Sequence, residues 1–98
     1  MVISGGINIY PREIEEVLFQ HPDVIDAAVI GIPDEKWGEA LKAFLVTKDN
    51  VGLSTDALRQ FCEGKIAKIK MPRTVSLIDA IPRNAGGKVL KTTLRRID

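Results

Sequence analysis

The stretch VIDAAVIGIPDEKWGEALKAFLVT, Val24 to Thr47, decides the fold. Val24 to Ile32 is apolar and rich in β-branched residues, the composition of a strand buried on at least one face. Gly31 and Pro33 close it, and Pro33 to Gly38 reads as a polar turn. Leu41 to Thr47 is a second strand, in which Lys42 and Phe44 alternate with Leu41, Ala43 and Leu45. Two strands joined so briefly predict antiparallel pairing.

The flanking segments fit around that pair. Val2 to Ile9 carries apolar residues on both sides of Gly5-Gly6, which predicts a short hairpin or a tight loop. Pro11 opens a helix whose apolar positions are Ile14, Val17 and Leu18, and Pro22 stops it near Gln20 or His21. Glu13, Glu15 and Glu16 read as a solvated helix start. A loop over 48–53, with Asn50 and Gly52, leads to Ser54, an N-cap for a helix running through Leu58, Phe61, Cys62, Ile66 and on towards Ile69. Gly64 sits awkwardly inside that helix. Thr74 to Ile78 reads as a third strand, Arg83 to Lys88 as a loop. A short C-terminal helix follows, with Leu90, Leu94 and Ile97 on one face. The sum is an α+β fold: a small, mainly antiparallel sheet of about three strands, flanking helices and an N-terminal hairpin.

Composition bounds the rest. Ninety-eight residues, 45% hydrophobic and 28% charged, make one domain with one core, and exclude a disordered or low-complexity chain. No apolar run approaches the ~18 residues of a membrane span. The N-terminus lacks a signal-peptide pattern. A single cysteine, Cys62, and a single histidine, His21, exclude an internal disulfide and a zinc site built on them, and fit a reducing, cytoplasmic setting. Residues 1–39 carry two basic groups against eight acidic ones, and residues 40–98 twelve against five. That split means either an anionic ligand on the basic half or attraction between the halves. The five aromatics, Tyr10, Phe19, Trp37, Phe44 and Phe61, mostly suit a core. They are not interleaved with the basic residues as base stacking would need, which argues against nucleic acid.

The candidate sites are local. Lys88 follows Gly86-Gly87 in a polar loop. On spacing alone it reads more simply as a surface lysine than as an ammonium aimed at a phosphate, and the Walker pattern is absent. Gly5-Gly6 is a turn or a place where a thin ligand passes the backbone. Trp37 lies among charged residues, as a contact for a partner or folded over the sheet edge. Lys65, Lys68, Lys70 and Arg73 cluster at a helix end, where the dipole or a phosphate would favour them.

Three blocks together resemble a known family: SGGINIYPREIEEVL, GIPDEKWGEALKAFLV and KMPRTVSLIDAIPRNAGGKVLK look like the C-terminal domain of the adenylate-forming acyl-CoA synthetases, over essentially all 98 residues. The form SGGINIYP looks more like the CoA ligases than like the luciferase or peptide-synthetase branches. The resemblance implies a two-step ligase of fatty-acid type metabolism. A carboxylate and ATP, with Mg, give an acyl-adenylate, and CoA then displaces AMP. It implies that the N-terminal adenylation domain and the hinge lie outside this stretch, upstream of Ile3. The stretch alone would then be inactive, with its own adenylation domain and a carboxylic acid as its partners.

By the same resemblance Lys88 matches the adenylation lysine. Gly5 and Gly6 match the loop lining the pantetheine tunnel. Trp37 falls where an aromatic packs on that arm, and Ile69, Lys70 and Arg73 where the CoA nucleotide is met. The two sets would face the active site alternately. Asn84 departs from the pattern, which often has Thr or Ser there. The rival expectations are a free-standing module of the same fold that binds CoA, another nucleotide or a protein, and, more distantly, a nucleic-acid binder.

Overall fold

The computed structural model describes residues 1–48 and 52–97, so Asn50 of the predicted 48–53 loop lies outside the described residues. The chain runs β1 (Val2–Ser4), β2 (Ile7–Ile9), α1 (Pro11–Leu18), β3 (Val24–Asp34), β4 (Gly38–Thr47), α2 (Thr55–Cys62), a 3-10 turn (Lys68–Lys70), β5 (Thr74–Leu77) and α3 (Lys91–Arg95). β1 and β2 form the N-terminal hairpin. β3, β4 and β5 form the main sheet in that order.

β3 and β4 pair antiparallel from Val24↔Thr47 to Asp34↔Gly38, with a register shift between Val24 and Asp26. Both strands run further into the polar turn than expected, so only Glu35, Lys36 and Trp37 separate them. β5 lies parallel to β4, Lys42↔Thr74 to Leu45↔Leu77, which makes the sheet mixed. The α2 crossover makes this possible, because a parallel neighbour needs a long connection.

β3 and β4 are buried on both faces. On one, Ala27, Val29, Leu41, Ala43 and Leu45 pack against Val2, Ile9, Ile14, Leu18, Leu58 and Cys62. On the other, Ala28, Ile30 and Phe44 meet Ile81 and Leu94. Two-sided burial explains why Ala27 to Ile30 reads as an unbroken apolar run. It also buries Lys42, whose ammonium lies 5.1 Å from the Phe44 ring centre.

Three expectations need correction. α2 ends at Cys62 and not near Ile69: Glu63 leaves helical geometry, Gly64 takes φ +82°, and the Lys65 and Ile66 amides close back on the Cys62 carbonyl. Gly64 is thus a helix stop, the usual use of a left-handed glycine. Ser54 does cap the helix, its Oγ accepting from the Ala57 amide at 3.0 Å. Of the C-terminal trio only Leu94 is buried, and of the five aromatics only Phe44 is fully so.

Glu15 is not part of a solvated helix start. It is half-buried, and its Oε2 accepts the Val29 amide at 2.9 Å, an outward-facing donor of the edge strand. Burial pushes its carboxyl above the ordinary value of 4.5, while the Val29 bond, Lys91 and Arg83 pull the other way. The folded chain therefore holds this proton to higher pH than the unfolded chain, and stability falls as pH rises through that window. Glu15→Gln keeps an acceptor and removes the charge. In thermal melts, the parent is expected to lose ground to this variant as pH rises from 4.5 towards neutral. A difference in Tm that does not vary with pH would contradict this.

Candidate functional site

Two groups of predicted site residues stand at opposite ends of β3. The first surrounds the β3–β4 turn. Gly5 and Gly6 take φ +57° and +81°, the pair of positive values that a two-residue type I′ hairpin demands. The Gly5 amide donates to the Trp37 carbonyl at 2.9 Å, and a Cβ on Gly5 would lie 2.9 Å from Trp37 Cε3. The glycine therefore lets the Trp37 ring lie directly on the hairpin.

Next to this contact is a cleft of about 220 Å³ lined by Ser4, Trp37, Arg59, Lys68, Ile69 and Arg73, among others. Trp37 and Ile69 stay 40% and 45% exposed there, large for apolar side chains and consistent with a contact surface. The cleft thus joins apolar walls to three cations. Gly5, Trp37, Ile69 and Arg73 come together. Gly6 faces open space. Lys70 turns away from the cleft, its Nζ 3.3 Å from Glu13 Oε2 on α1.

Asp34, which the sequence reading passed over, organises this end. Its Oδ2 accepts the Trp37 amide at 3.0 Å and its Oδ1 accepts Arg73 Nη1 at 3.0 Å. Arg73 is half-exposed, so the pair is worth only about 0–1 kcal/mol to stability. Its consequence is geometric: one carboxylate ties the tryptophan turn to the arginine across the cleft. The signal was present as Asp34-x-x-Trp37, an aspartate whose side chain can cap a nearby backbone amide.

The second group is the Lys88 loop. The Asn84 amide donates to the Lys88 carbonyl at 2.9 Å, and Leu90 closes the base onto the Pro82 carbonyl at 2.9 Å. Asn84 Oδ1 accepts the Gly86 and Lys88 amides at 2.9 and 3.0 Å. The departure at Asn84 therefore supplies the loop with an internal cap, a role suited to its side-chain carbonyl. Lys88 is exposed where the loop closes against Asn84, and among the described residues its ammonium has no ion-pair partner. Arg83 fastens the loop to β3. Its Nη2 reaches both oxygens of Asp26 at 2.8 and 3.0 Å, and its Nη1 donates to the Gly87 carbonyl at 3.1 Å.

Asp26 and Asp34 are eight residues apart on one strand, so the loop anchor and the cleft anchor are separated by roughly 26 Å. The charge split has a matching explanation. The long-range ion pairs Lys70–Glu13, Arg73–Asp34 and Arg83–Asp26 each join the acidic half to the basic half. Lys88, Arg59 and Lys68 take no part in these pairs, so attraction between the halves and an exposed basic surface coexist.

Fold and sites together describe a small mixed-sheet domain that presents a lysine loop at one end and a cationic cleft at the other. The family model for the AMP-binding enzyme C-terminal domain matches residues 13–88, and the chain belongs to that family, the C-terminal domain of the acyl-CoA synthetase and ligase superfamily. Among curated relatives it is 52% identical over 95 residues to YngI of Bacillus subtilis (strain 168), a protein assigned as an acyl-CoA synthetase; the match covers 97% of this chain and 17% of YngI. Among solved structures it superposes on ATP-bound MatB from Rhodopseudomonas palustris with TM-score 0.90 and 39% identity, over 97% of this chain and 19% of that one. It superposes equally, with TM-score 0.90 and 42% identity, on o-succinylbenzoate CoA synthetase (MenE) from Bacillus subtilis in complex with the acyl-adenylate intermediate OSB-AMP, over 98% and 19%. The chain thus spans about a fifth of the length of the relatives it matches. Among the described residues, no helix is long and apolar enough to cross a membrane.

Proposed function

We propose that this domain is the lid of a cytoplasmic, ATP-dependent acyl-CoA synthetase and serves its two half-reactions with opposite ends. In the first, a carboxylate oxygen attacks the α-phosphorus of ATP, the bond to pyrophosphate breaks, and an acyl-adenylate forms. In the second, the CoA thiol adds to the acyl carbon, AMP leaves, and a thioester remains. The observation that carries this reading is that the Lys88 loop and the Trp37 cleft are anchored at opposite ends of β3, on Asp26 and Asp34, roughly 26 Å apart along the strand. Both cannot meet one small reacting centre together, so each acts in its own orientation of the domain.

The residues suit these roles. Lys88 is an exposed cation on a closed loop. Placed between a carboxylate and a phosphate, it offsets the charge that builds up in the transition state and holds the two anions together. The cleft offers apolar walls to a thin thiol arm, and its three cations, Arg59, Lys68 and Arg73, suit the phosphates of a nucleotide. ATP with its magnesium and the carboxylic acid belong mainly to the adenylation portion of the enzyme, which is the domain's partner.

The test is a fusion ligase in which this chain replaces the matching C-terminal segment of MenE. The fusion is expected to form o-succinylbenzoyl-CoA with dependence on both ATP and CoA, and MenE truncated before that segment is expected to form none. A fusion that folds but matches the truncated protein would count against the reading. A free-standing CoA-binding module of the same fold is favoured only by the mixed apolar and cationic lining of the cleft. It predicts CoA-induced NMR shifts at Gly5, Trp37 and Arg73 in the isolated chain, with a short oligonucleotide inert.

A further inference from the structure

We propose that Arg83, held by Asp26, is a positioning residue for Lys88: it sets the direction in which the ammonium is presented by gripping the carbonyl that immediately precedes it. The inference rests on the reading of Lys88 as the adenylation lysine and adds residues that reading does not assign.

The bonds made by Asn84, Gly86, Gly87, Lys88 and Leu90 all lie within the 82–90 loop, so they close it without orienting it. Arg83 supplies a bond that leaves the loop. Its guanidinium spans from Gly87 O to both oxygens of Asp26. Asp26 is fixed in turn, because its Oδ1 also accepts the Ala27 amide at 2.9 Å, and it stands at the register shift of β3. A bulge of this kind re-aims a side chain at a strand end. The planar guanidinium is what makes the link directional, since Nη2 straddles the Asp26 carboxylate while Nη1 of the same rigid group holds the Gly87 carbonyl. The pair is half-exposed, so it contributes little to overall stability. What it controls is the position of Lys88, where a displacement of about 1 Å is enough to cost on the order of 10²-fold in rate.

The test compares both half-reactions in the MenE fusion. Arg83→Ala is expected to lower ATP–pyrophosphate exchange about 10- to 100-fold, with thioester formation from supplied acyl-adenylate held within about twofold of the parent. Arg83→Lys keeps the charge but loses the fork, and is expected to restore less than half of the exchange. A merely structural role would lower both half-reactions together, and that result would overturn the inference. So would exchange unchanged in Arg83→Ala while Lys88→Ala abolishes it. If Lys88→Ala itself leaves exchange intact, the reading of Lys88 fails instead. Should Arg83→Ala melt early, Asp26→Asn carries the same expectations, because it keeps a cap for Ala27 and loses the charge. In the isolated chain, 15N relaxation of either variant is expected to show lower order parameters at Gly87 and Lys88, with the Asp34–Trp37 turn unchanged. Unchanged order parameters at Gly87 and Lys88 would overturn it.

Discussion

Replacing Lys88 by alanine in the fusion ligase is expected to slow ATP–pyrophosphate exchange on the order of 10²- to 10³-fold, the usual cost of removing one aimed group that stabilises transition-state charge. Thioester formation from supplied acyl-adenylate should stay within about threefold of the parent, because an interaction absent from a step does not alter its barrier. The structural reason is distance. In the orientation that presents the Trp37 cleft, Lys88 sits past the Asp26 end of β3, an anchor roughly 26 Å along the strand from Asp34, beyond any contact with the reacting atoms. The substitution should leave Tm unchanged, since the side chain is exposed and the loop is closed by backbone and Asn84 bonds. Assays of the two half-reactions on one preparation check this. Equal losses in both would place Lys88 outside the adenylation step.

Gly5→Met should give the reverse pattern. At φ +57° any side chain carries a backbone cost of about 1–2 kcal/mol. Its Cβ would come within 2.9 Å of Trp37 Cε3, so the ring must move. The remaining atoms of methionine would then occupy the cleft entrance beside Trp37. Thioester formation is expected to fall about 10²-fold, as when reacting groups are held out of line. Pyrophosphate exchange should remain within about threefold, because nothing at the Lys88 end is touched. The loss should appear as a higher KM for CoA together with a lower kcat. Retained thioester formation, with a melting curve showing the hairpin intact, would remove Gly5 from the CoA side of the domain.

How far the sequence reveals this arrangement depends on the range of the interaction concerned. Local chemistry is legible. The Gly5-Gly6 turn and the Ser54 cap each follow from residues within four positions, and Pro22 marks the end of α1, which comes at Leu18, two to three residues before the expected Gln20 or His21. The apolar run of β3 announces its burial. The parallel placement of β5 is not legible, because it depends on where α2 lets the chain return. The end of α2 is misread for a related reason: Ile66 keeps helical spacing, yet it is buried through the turn that Gly64 makes.

The proposed site is legible in the residues that the resemblance assigns and obscure in their supports. Lys88, Gly5, Trp37 and Arg73 lie in blocks that resemble the family. Asp26 and Glu15 look like ordinary surface acids in sequence, and Asp34 shows only its local cap on the Trp37 amide. Their long-range partners lie 57 positions away for Asp26, 39 for Asp34 and 14 for Glu15, and only the folded chain brings them within 3.0 Å. Lys70, which the resemblance puts beside the CoA nucleotide, pairs in the folded chain with Glu13 of α1.

The central claim is that one rigid domain carries two separate working ends. Measuring both half-reactions for Lys88→Ala and Gly5→Met side by side in the MenE fusion tests it most directly. The account predicts a crossed result: exchange lost and thioester formation kept in the first variant, exchange kept and thioester formation lost in the second. Parallel losses in either variant, with both proteins folded, would contradict it.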